Sequence, residues 1–353
     1  MEPIGDRVCI VHVGTHKTGT TSLQIFLDGN RAAFSSGGVH LADAGRHENY
    51  GWGNHQLAWD LLVKGTSGDL ALLTEELRRV GSPAAIITSE DLSLLYHRPE
   101  TLELLNAAIR SAGYLPKIVV YLRPQAAYIE SMYAERVRHD RNIRFFADFI
   151  DVICRTGDFV LENGVTHLPF RYTALLRPFA DAFGRENLIV RAYESGRGTT
   201  HIYQDFLLAI AAAYSGFAAT ETRVRIAEPR VNESLPFLGL LETAYLTIFG
   251  GSFEETQPLT IMRQQYPDFP EELLMSRFAL LSHREALRIL EVFAEDNKAV
   301  ALEYGVSIPF VRGEHVPAKD HPAWQRAALE RPIYDRILSD WLTKTNAIQQ
   351  PAK

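Results

Sequence analysis

Residues Val8 to Leu27, VCIVHVGTHKTGTTSLQIFL, carry the clearest structural signal in this chain. The first six residues of the stretch are almost all apolar and predict a buried β-strand. Gly14 and Gly19 then bracket a polar turn, and the pattern from Thr20 onward predicts the first turns of a helix. Backbone N–H groups in such a turn, with a helix N-terminus behind them, attract anions. The stretch therefore predicts a phosphate-binding loop.

The lysine of this loop departs from the nucleoside-triphosphatase pattern. That pattern is G-x-x-x-x-G-K-[ST], in which the lysine follows the second glycine. Gly14 and Gly19 have the required spacing, but Thr20 occupies the lysine position and the lysine lies inside the loop, at Lys17. This displacement argues against an ordinary ATPase or kinase.

A second phosphate site is predicted where another apolar strand, 117–122, ends in Arg123 and Pro124. Proline is favoured at a helix start, so a helix is expected from Gln125. Ser131 follows Arg123 by eight residues, and about two helical turns return its hydroxyl to the side where the arginine enters. An arginine and a hydroxyl at a helix start suit a phosphate dianion. The alternative is an ion pair for the arginine and a backbone hydrogen bond for the serine.

A third polar cluster follows the predicted strand 84–88 and contains Ser89, Glu90 and Asp91. Ligands of doubly wound sheets bind outside the carboxyl ends of the strands, so we expect these carboxylates at the same edge as the phosphate sites. One interpretation is a general base. The other is a helix start, with Ser89 as the N-cap and the two acids favouring the helix dipole. Both interpretations can hold together.

The string Lys17-Thr18-Gly19-Thr20-Thr21 resembles the K-[ST]-G-T-T loop of the sulfotransferases that use 3′-phosphoadenosine 5′-phosphosulfate (PAPS). The spacing from Arg123 to Ser131 is similar to the 3′-phosphate site of that family. The resemblance implies that Lys17 contacts the oxygen bridging sulfate and phosphate, and that Arg123 and Ser131 bind the 3′-phosphate. It implies 5′-phosphate binding through backbone amides and hydroxyls of the loop. The predicted nucleotide-binding set there is His16, Lys17, Thr18, Gly19, Thr20, Thr21 and Ser22, with His16 expected mainly to shape the loop.

A later segment, Arg230 to Leu235, resembles an R-x-N-x-S-L segment of bacterial members of this family. The resemblance implies that Arg230, Asn232 and Ser234 close over the nucleotide. Asn232 or Ser234 capping the following helix is the alternative. The R-K-G-x-x-G-D-W segment of the cytosolic members is absent, which argues against a small phenol or a steroid as the acceptor.

The resemblance also bears on the general base. Polysaccharide-modifying members use a glutamate in this neighbourhood, and many cytosolic members use a histidine. We therefore predict Glu90 as the base and Asp91 as the second choice, with His55, at the start of a predicted helix, as a further candidate. Because a sulfuryl group carries less negative charge than a γ-phosphoryl group, Lys17 is expected to suffice without a metal ion.

The strand signals alternate with helical patterns, which is typical of a parallel sheet covered on both faces. The expected fold is α/β, a P-loop-type three-layer α/β/α arrangement with a central parallel sheet and a helical C-terminal part. The predicted strands lie at 8–13, 84–88, 117–122 and 187–191. The predicted domains are a PAPS-binding core at 1–230, a helical extension packed on it at 231–313, and a polar C-terminal tail at 314–353.

The composition excludes several classes of protein. A formal net charge of −7 over 353 residues argues against general nucleic-acid binding. Two cysteines, Cys9 and Cys154, make no disulfide framework and indicate a reducing compartment. No signal-peptide pattern is present, and the longest apolar stretch, Phe206 to Ala219, is too short to cross a bilayer. We therefore expect a cytoplasmic protein without a transmembrane anchor.

Three functions remain compatible with these patterns. The first is a sulfotransferase that moves a sulfuryl group from PAPS to a hydroxyl acceptor, a carbohydrate or glycolipid. The second is a P-loop nucleotide-dependent kinase that uses the same loop with Mg²⁺. The third is a non-catalytic nucleotide-sensing protein that keeps the loop but lacks a base. Nucleotide preference and dependence on metal would separate them.

Overall fold

The structure is a computed structural model that describes residues 7–47, 51–66, 68–140, 143–193, 199–219, 224, 235–250, 258–306 and 319–349. Its strands are β1 Val8–His12, β2 Val39–Leu41, β3 Ala84–Thr88, β4 Leu115–Leu122, β5 Asp158–Val160, β6 His167–Pro169 and β7 Leu188–Ala192. Its helices are α1 Thr20–Gly29, α2 Arg31–Ser36, α3 His55–Lys64, α4 Asp69–Val80, α5 Pro99–Ser111, α6 Gln125–His139, α7 Phe146–Thr156, α8 Tyr172–Phe183, α9 Thr199–Ala213, α10 Phe237–Phe249, α11 Pro258–Gln265, α12 Glu271–Leu274, α13 His283–Tyr304 and α14 Pro322–Gln349. Three 3₁₀ helices cover Glu90–His97, Arg185–Asn187 and Ser215–Ala219.

The chain divides into two compact units that interleave along the sequence. The first comprises 1–123, 163–231 and 295–308, and the second 124–162, 232–294 and 309–353. The predicted boundary at 230 followed the loss of strand signals and the one at 313 followed the polar composition of the tail, whereas the second unit also takes in 124–162. That segment carries α6, whose Val137 carbonyl accepts a hydrogen bond from Thr247 on α10 at 2.8 Å. Helix-to-helix bonds of this kind join parts of the chain that lie far apart in sequence.

A five-stranded parallel sheet forms the centre of the first unit, in the order β2-β3-β1-β4-β7. His12, at the end of β1, is in register with Thr88 of β3 and Val119 of β4. The carboxyl ends of β1 and β3 therefore coincide, while β4 runs on for three more residues to Leu122. The sequence predicted these strands within two residues, but not the three-residue β2, which is too short to give a periodic signal.

Alternate residues of the strands contact different helices, which makes the first unit a three-layer α/β/α structure. Val8, Ile10, Ile86 and Val119 belong to one buried cluster that also contains residues of α1, α2 and α9. Their neighbours along each strand point to the opposite face, as the pleat requires. Helices α5 and α8 contact β4 and share no residue with that cluster. The predicted α/β fold class is confirmed.

The second unit is mainly helical, and its last helix lies where a polar tail was predicted. Tyr334 of α14 is fully buried, and its hydroxyl lies 3.3 Å from that of Tyr133 on α6. Further buried apolar residues follow in α14 at helical spacing, namely Ile337, Leu338 and Trp341. The charged residues between them make the segment polar on average, so its composition alone does not indicate an apolar face.

The sequence pattern also predicts a helix over 270–281, and there only α12 is helical. Beyond it, a carboxylate oxygen of Glu130 accepts the backbone N–H groups of Leu280 at 2.9 Å and Leu281 at 3.1 Å. Because a side chain satisfies these donors, the segment needs no helical hydrogen bonds there. In the described part of the chain, no helix combines the length and apolar character needed to span a membrane.

Candidate functional site

The loop between β1 and α1 is anchored on the neighbouring strand β4. Val13 donates its backbone N–H to the carbonyl of Val119 at 3.0 Å. The hydroxyl of Thr15 donates to the carbonyl of Tyr121 at 3.0 Å. These bonds continue the sheet pairing past the end of β1, so the loop starts from a fixed position at the sheet edge.

Lys17 has a left-handed backbone, with φ of 62°, and is the one non-glycine residue in the described part of the chain with positive φ. Such a conformation typically costs a side-chain-bearing residue on the order of 1–3 kcal/mol. Arg123, at the end of β4, donates from Nη1 to the Lys17 carbonyl at 2.7 Å. Arg123 therefore braces the loop at the lysine that the sequence singled out.

The two glycines of the loop are required for two different geometric reasons. Gly19 has φ of 77° and provides no side chain to cap α1, whose first backbone N–H groups have no partner within the helix. Gly14 approaches Thr20 so closely that an added Cβ would lie 2.8 Å from Oγ1. Thr18 donates its hydroxyl to the Thr15 carbonyl at 2.5 Å and lies 3.5 Å from the Thr20 hydroxyl. The structure thus gathers the predicted loop residues around the helix start.

The end of β3 has the capped helix start that was one of the two interpretations of this segment. The hydroxyl of Ser89 accepts the backbone N–H of Asp91 at 3.2 Å, and a 3₁₀ helix begins at Glu90. The base interpretation and the cap interpretation therefore share the same residues. Capping orients the segment, and it leaves the carboxylates of Glu90 and Asp91 to make contacts of their own.

Asn54, which was not among the predicted site residues, brings His55 to this cluster. Its backbone N–H donates to the Thr88 carbonyl at 2.7 Å, and its side-chain carbonyl accepts the Thr88 N–H at 2.9 Å. Asn54 is 1% exposed, so it fixes the start of α3 firmly against the end of β3. The signal available in the sequence was an asparagine directly before a predicted helix.

Asp91 lies between two histidines. Its Oδ2 is 2.9 Å from Nδ1 of His55, and its Oδ1 is 3.2 Å from Nε2 of His16 in the loop. Burial alone would raise the pKa of Asp91, but the hydrogen bonds from His16 and His55 hold it well below its ordinary value. Burial lowers the pKa of His55, yet the hydrogen bond to Asp91 and the charges of Glu90 and Asp91 outweigh this and raise it. Asp91 is therefore an anion that links the loop to α3.

Glu90 contacts α1 and α3 through one carboxylate oxygen. Gln24, which is 1% exposed, donates from Nε2 to Glu90 Oε2 at 3.0 Å. His55 Nε2 lies 4.0 Å from the same oxygen, and the Glu90 side chain is 19% exposed. The predicted base, Glu90, thus lies beside both of its alternatives, His55 and Asp91. Gln24 was not among the predicted site residues.

Arg123 is 5% exposed, and its guanidinium lies 5.7 Å from the ring centre of Tyr193. Its carbonyl accepts a hydrogen bond from the Tyr172 hydroxyl. Ser131 lies on α6, in the second unit, so its pairing with Arg123 stays a prediction. Arg230, Asn232 and Ser234 lie outside the described residues.

His12 and Cys9 of β1 belong to the core rather than to the site. His12 Nδ1 lies 2.9 Å from the Thr88 hydroxyl, and burial lowers the pKa of His12 to about 3, so it is neutral. Burial raises the pKa of the Cys9 thiol. Neither side chain is exposed to solvent. Within the described ranges, no group of three or more His, Cys, Asp or Glu side chains is arranged to hold a metal ion.

No protein-family model matches the chain, and no curated protein matches it. Among solved structures, it is similar to a sulfotransferase from Alicyclobacillus acidocaldarius, at 16% identity and a TM-score of 0.36, over 76% of this chain and 98% of that one. It is also similar to the mouse sulfotransferase SULT7A1 complexed with PAP, at 16% identity and a TM-score of 0.31, over 75% of this chain and 86% of that one. Likenesses this distant assign no activity, so the function has to be argued from the site itself.

Proposed function

We propose that this chain is a sulfotransferase that uses PAPS as donor and a hydroxyl group as acceptor. The observation that carries the proposal is the conformation of Lys17, held inside the loop in a left-handed backbone by Arg123. A strained residue that its neighbours hold in place is typical of functional sites. The lysine lies at the carboxyl edge of the sheet, and the adjacent strand end carries Glu90.

The donor set fits an anionic nucleotide. Uncapped amides at the start of α1 and the hydroxyls of Thr20, Thr21 and Ser22 are suited to the 5′-phosphate. Lys17 provides a cation for the oxygen that bridges sulfate and phosphate. Arg123 is proposed to take the 3′-phosphate together with Ser131, and the remaining contacts would come from His16, Thr18, Gly19, Arg230, Asn232 and Ser234.

The proposed reaction is an in-line displacement in which PAPS supplies the sulfuryl group. A bond forms between the acceptor oxygen and sulfur, while the bond from sulfur to the bridging oxygen breaks. The hydroxyl proton passes to Glu90. The electron pair leaves with the 5′-phosphate oxygen, whose growing charge Lys17 neutralises. The products are a sulfated acceptor and 3′-phosphoadenosine 5′-phosphate, as expected for a reaction that is catalysed by positioning and electrostatics.

We further propose that the acceptor is a carbohydrate or a glycolipid and that the reaction takes place in the cytoplasm. Trp52 supports the acceptor class. It is 43% exposed and lies three residues before His55 in the sequence. Aromatic rings present an apolar face with a polar tip, which suits contact with a sugar. The compartment is supported by Cys9 and Cys154, which are both free and buried.

The proposal is tested by isothermal titration calorimetry with 3′-phosphoadenosine 5′-phosphate and with ATP, each with and without Mg²⁺. We expect the bisphosphate to bind more tightly than ATP, with no need for the metal. Tighter binding of ATP that requires Mg²⁺ would favour the kinase. A transfer assay with ³⁵S-labelled PAPS against a panel of sugars and glycolipids then tests the reaction. Binding of the bisphosphate without transfer to any acceptor would favour a nucleotide-sensing protein.

A further inference from the structure

Among the described residues, hydrogen bonding to the Glu90 carboxylate reaches only one of its two oxygens. Its Oε2 receives the hydrogen bond from Gln24 and faces His55, whereas no described residue donates a hydrogen bond to Oε1. The orientation of the Gln24 amide follows from charge, because its carbonyl oxygen would repel the carboxylate while its NH₂ group is attracted. The two oxygens of Glu90 therefore differ in their surroundings.

We infer that Gln24 is a positioning residue that holds Glu90 through Oε2 and leaves Oε1 to accept the proton of the acceptor hydroxyl. This inference rests on the proposed function, since it assigns the orientation of the proposed base. A hydrogen bond to the charged form of a carboxylate also favours that form. Gln24 thus fixes the direction of the carboxylate.

The position of Gln24 on α1 gives this contact a further consequence. The helix begins at Thr20, directly after the loop that carries Lys17, and Gln24 lies one helical turn later. One short helix therefore presents its N-terminus to the proposed phosphate site and its Gln24 to the proposed base. Helix α1 therefore connects the proposed phosphate site to the side chain that holds the proposed base.

His55 lies near the same oxygen, with its Nε2 4.0 Å from Oε2, and is itself oriented by Asp91. Since a carboxylate at 2.9 Å requires a donor, Nδ1 of His55 carries a proton, and Nε2 points towards Glu90. Gly53 lies against both groups, because an added Cβ would be 2.7 Å from Gln24 Nε2 and 2.8 Å from His55 Nε2. In the described ranges, these contacts connect Glu90 to the ionisable groups of His55, Asp91 and, through Asp91, His16 of the loop.

The test compares Gln24→Met, which keeps the length of the side chain but removes the donor, with Gln56→Met as the matched control. Gln56 is the residue after His55, and its amide donates to Asp60 at 2.8 Å instead. For Gln24→Met we expect kcat to fall roughly ten- to a hundredfold, with KM for PAPS within about twofold. The acidic limb of the kcat profile should move to higher pH, because the hydrogen bond to the carboxylate is lost. The Gln56 variant should match the wild type.

A second variant, Gln24→Glu, separates direct contact from packing. Two carboxylates about 3 Å apart cannot both ionise, so the acidic limb should move further than in Gln24→Met. A loss of kcat with an unmoved acidic limb in both Gln24 variants would overturn the inference, because Gln24 would then act through packing alone. The same conclusion would follow if KM for PAPS rose in proportion to the loss of kcat.

A readout without turnover keeps the inference testable if the proposed function is wrong. The side-chain carboxyl carbon of Glu90, labelled with ¹³C and assigned with Glu90→Gln, can be titrated by NMR. Its midpoint should rise in Gln24→Met and stay in place in Gln56→Met, whether or not sulfuryl transfer occurs. An unmoved midpoint with normal binding of 3′-phosphoadenosine 5′-phosphate would overturn the positioning role and leave the sulfotransferase proposal standing. A raised midpoint without binding of 3′-phosphoadenosine 5′-phosphate would support the positioning role and overturn the sulfotransferase proposal.

Discussion

The carboxyl ends of β1 and β3 are neighbours in the sheet, and their polar groups are satisfied in different ways. At the end of β1, the loop leaves the first amides of α1 without a side-chain cap and holds Lys17 in a left-handed backbone. At the end of β3, Ser89 caps the segment, and Asp91 and Glu90 contact histidine or glutamine side chains. The first arrangement suits a ligand that brings its own negative charge. The second suits a group whose orientation and protonation must already be set.

The largest effect is expected from removing the proton acceptor at the β3 end. Glu90→Gln keeps the size of the side chain but cannot take a proton. General-base catalysis usually supplies ~10²–10⁴ in rate, and kcat should fall by that factor while binding of 3′-phosphoadenosine 5′-phosphate stays unchanged. Assays of kcat and calorimetric affinity on one preparation check this, with exposed Glu75→Gln as the control. Full activity in Glu90→Gln would transfer the base role to Asp91 or His55.

The β1 end is tested at its strained lysine, by comparing Lys17→Gly with Lys17→Ala. Both variants should lose ~10²–10³ in kcat, because a preorganised donor to the leaving group is gone. Only the glycine variant relieves the left-handed backbone, so it should be more stable than the alanine variant by about 1 kcal/mol. Melting temperatures and kcat are measured together.

Two results would contradict this account of Lys17. If Lys17→Ala keeps its rate within about threefold, the cost is under about 1 kcal/mol of barrier and the lysine has no role at the leaving group. If Lys17→Gly and Lys17→Ala melt at the same temperature, the backbone at this position stores no strain.

The difference between the two strand ends also separates what the sequence could predict from what it could not. The loop at the β1 end is local, so its glycine spacing and the position of Lys17 can be recognised from a run of consecutive residues. The β3 end is built from distant segments. Glu90 and Asp91 lie near Gln24, Asn54 and His55 only because β1 and β3 are adjacent. No local sequence pattern predicts the order of the strands.

The fold shows the same division between local and distant information. Buried strands of five to eight residues, such as β1 and β4, gave clear apolar runs. The membership of α6 and α7 in the second unit depends on contacts with residues more than a hundred positions away, such as Tyr133 with Tyr334. Periodicity predicts that a helix has an apolar face, but it does not say which partner covers that face.

A smaller effect is expected from Arg123→Met, which removes the brace on Lys17 and the proposed 3′-phosphate contact together. Charge-assisted hydrogen bonds are worth roughly 1.5–3 kcal/mol, so affinity for 3′-phosphoadenosine 5′-phosphate should fall about ten- to a hundredfold. Adenosine 5′-phosphate should lose less, because it lacks the 3′-phosphate and suffers only from the loosened loop. Calorimetry with both ligands measures the difference, and Arg110→Met, on α5, is the control. Equal losses of affinity for the two ligands would show that Arg123 braces the loop but does not bind the 3′-phosphate.

A last effect, of the same order as that of Arg123→Met, is a pH-dependent loss of stability in Asp91→Asn, which weakens the link between the two strand ends. Asparagine keeps the shape but not the charge that bonds His16 and His55. At pH 6 we expect the variant to be less stable than the wild type by about 1.5–3 kcal/mol, the range for hydrogen bonds to a charged group. The control is Asp60→Asn on α3, whose partners are Gln56 and Lys64.

The sign of the pH dependence follows from the two shifted groups. The pKa of His55 is raised in the folded state, because the hydrogen bond to Asp91 and the nearby carboxylates outweigh its burial. The stabilisation from His55 is therefore complete below its ordinary pKa of 6.5 and is lost as the pH rises through the folded value. The pKa of Asp91 is lowered, so its contribution is present above its ordinary value of 3.8 and is lost only in acid. The deficit of Asp91→Asn should therefore be larger at pH 6 than at pH 9, as measured by urea unfolding at both values, while that of Asp60→Asn stays constant. A deficit that grew towards pH 9 would show that Asp91 does not hold a protonated His55, and the β3 end would then lack the fixed charge that distinguishes it from the loop at β1.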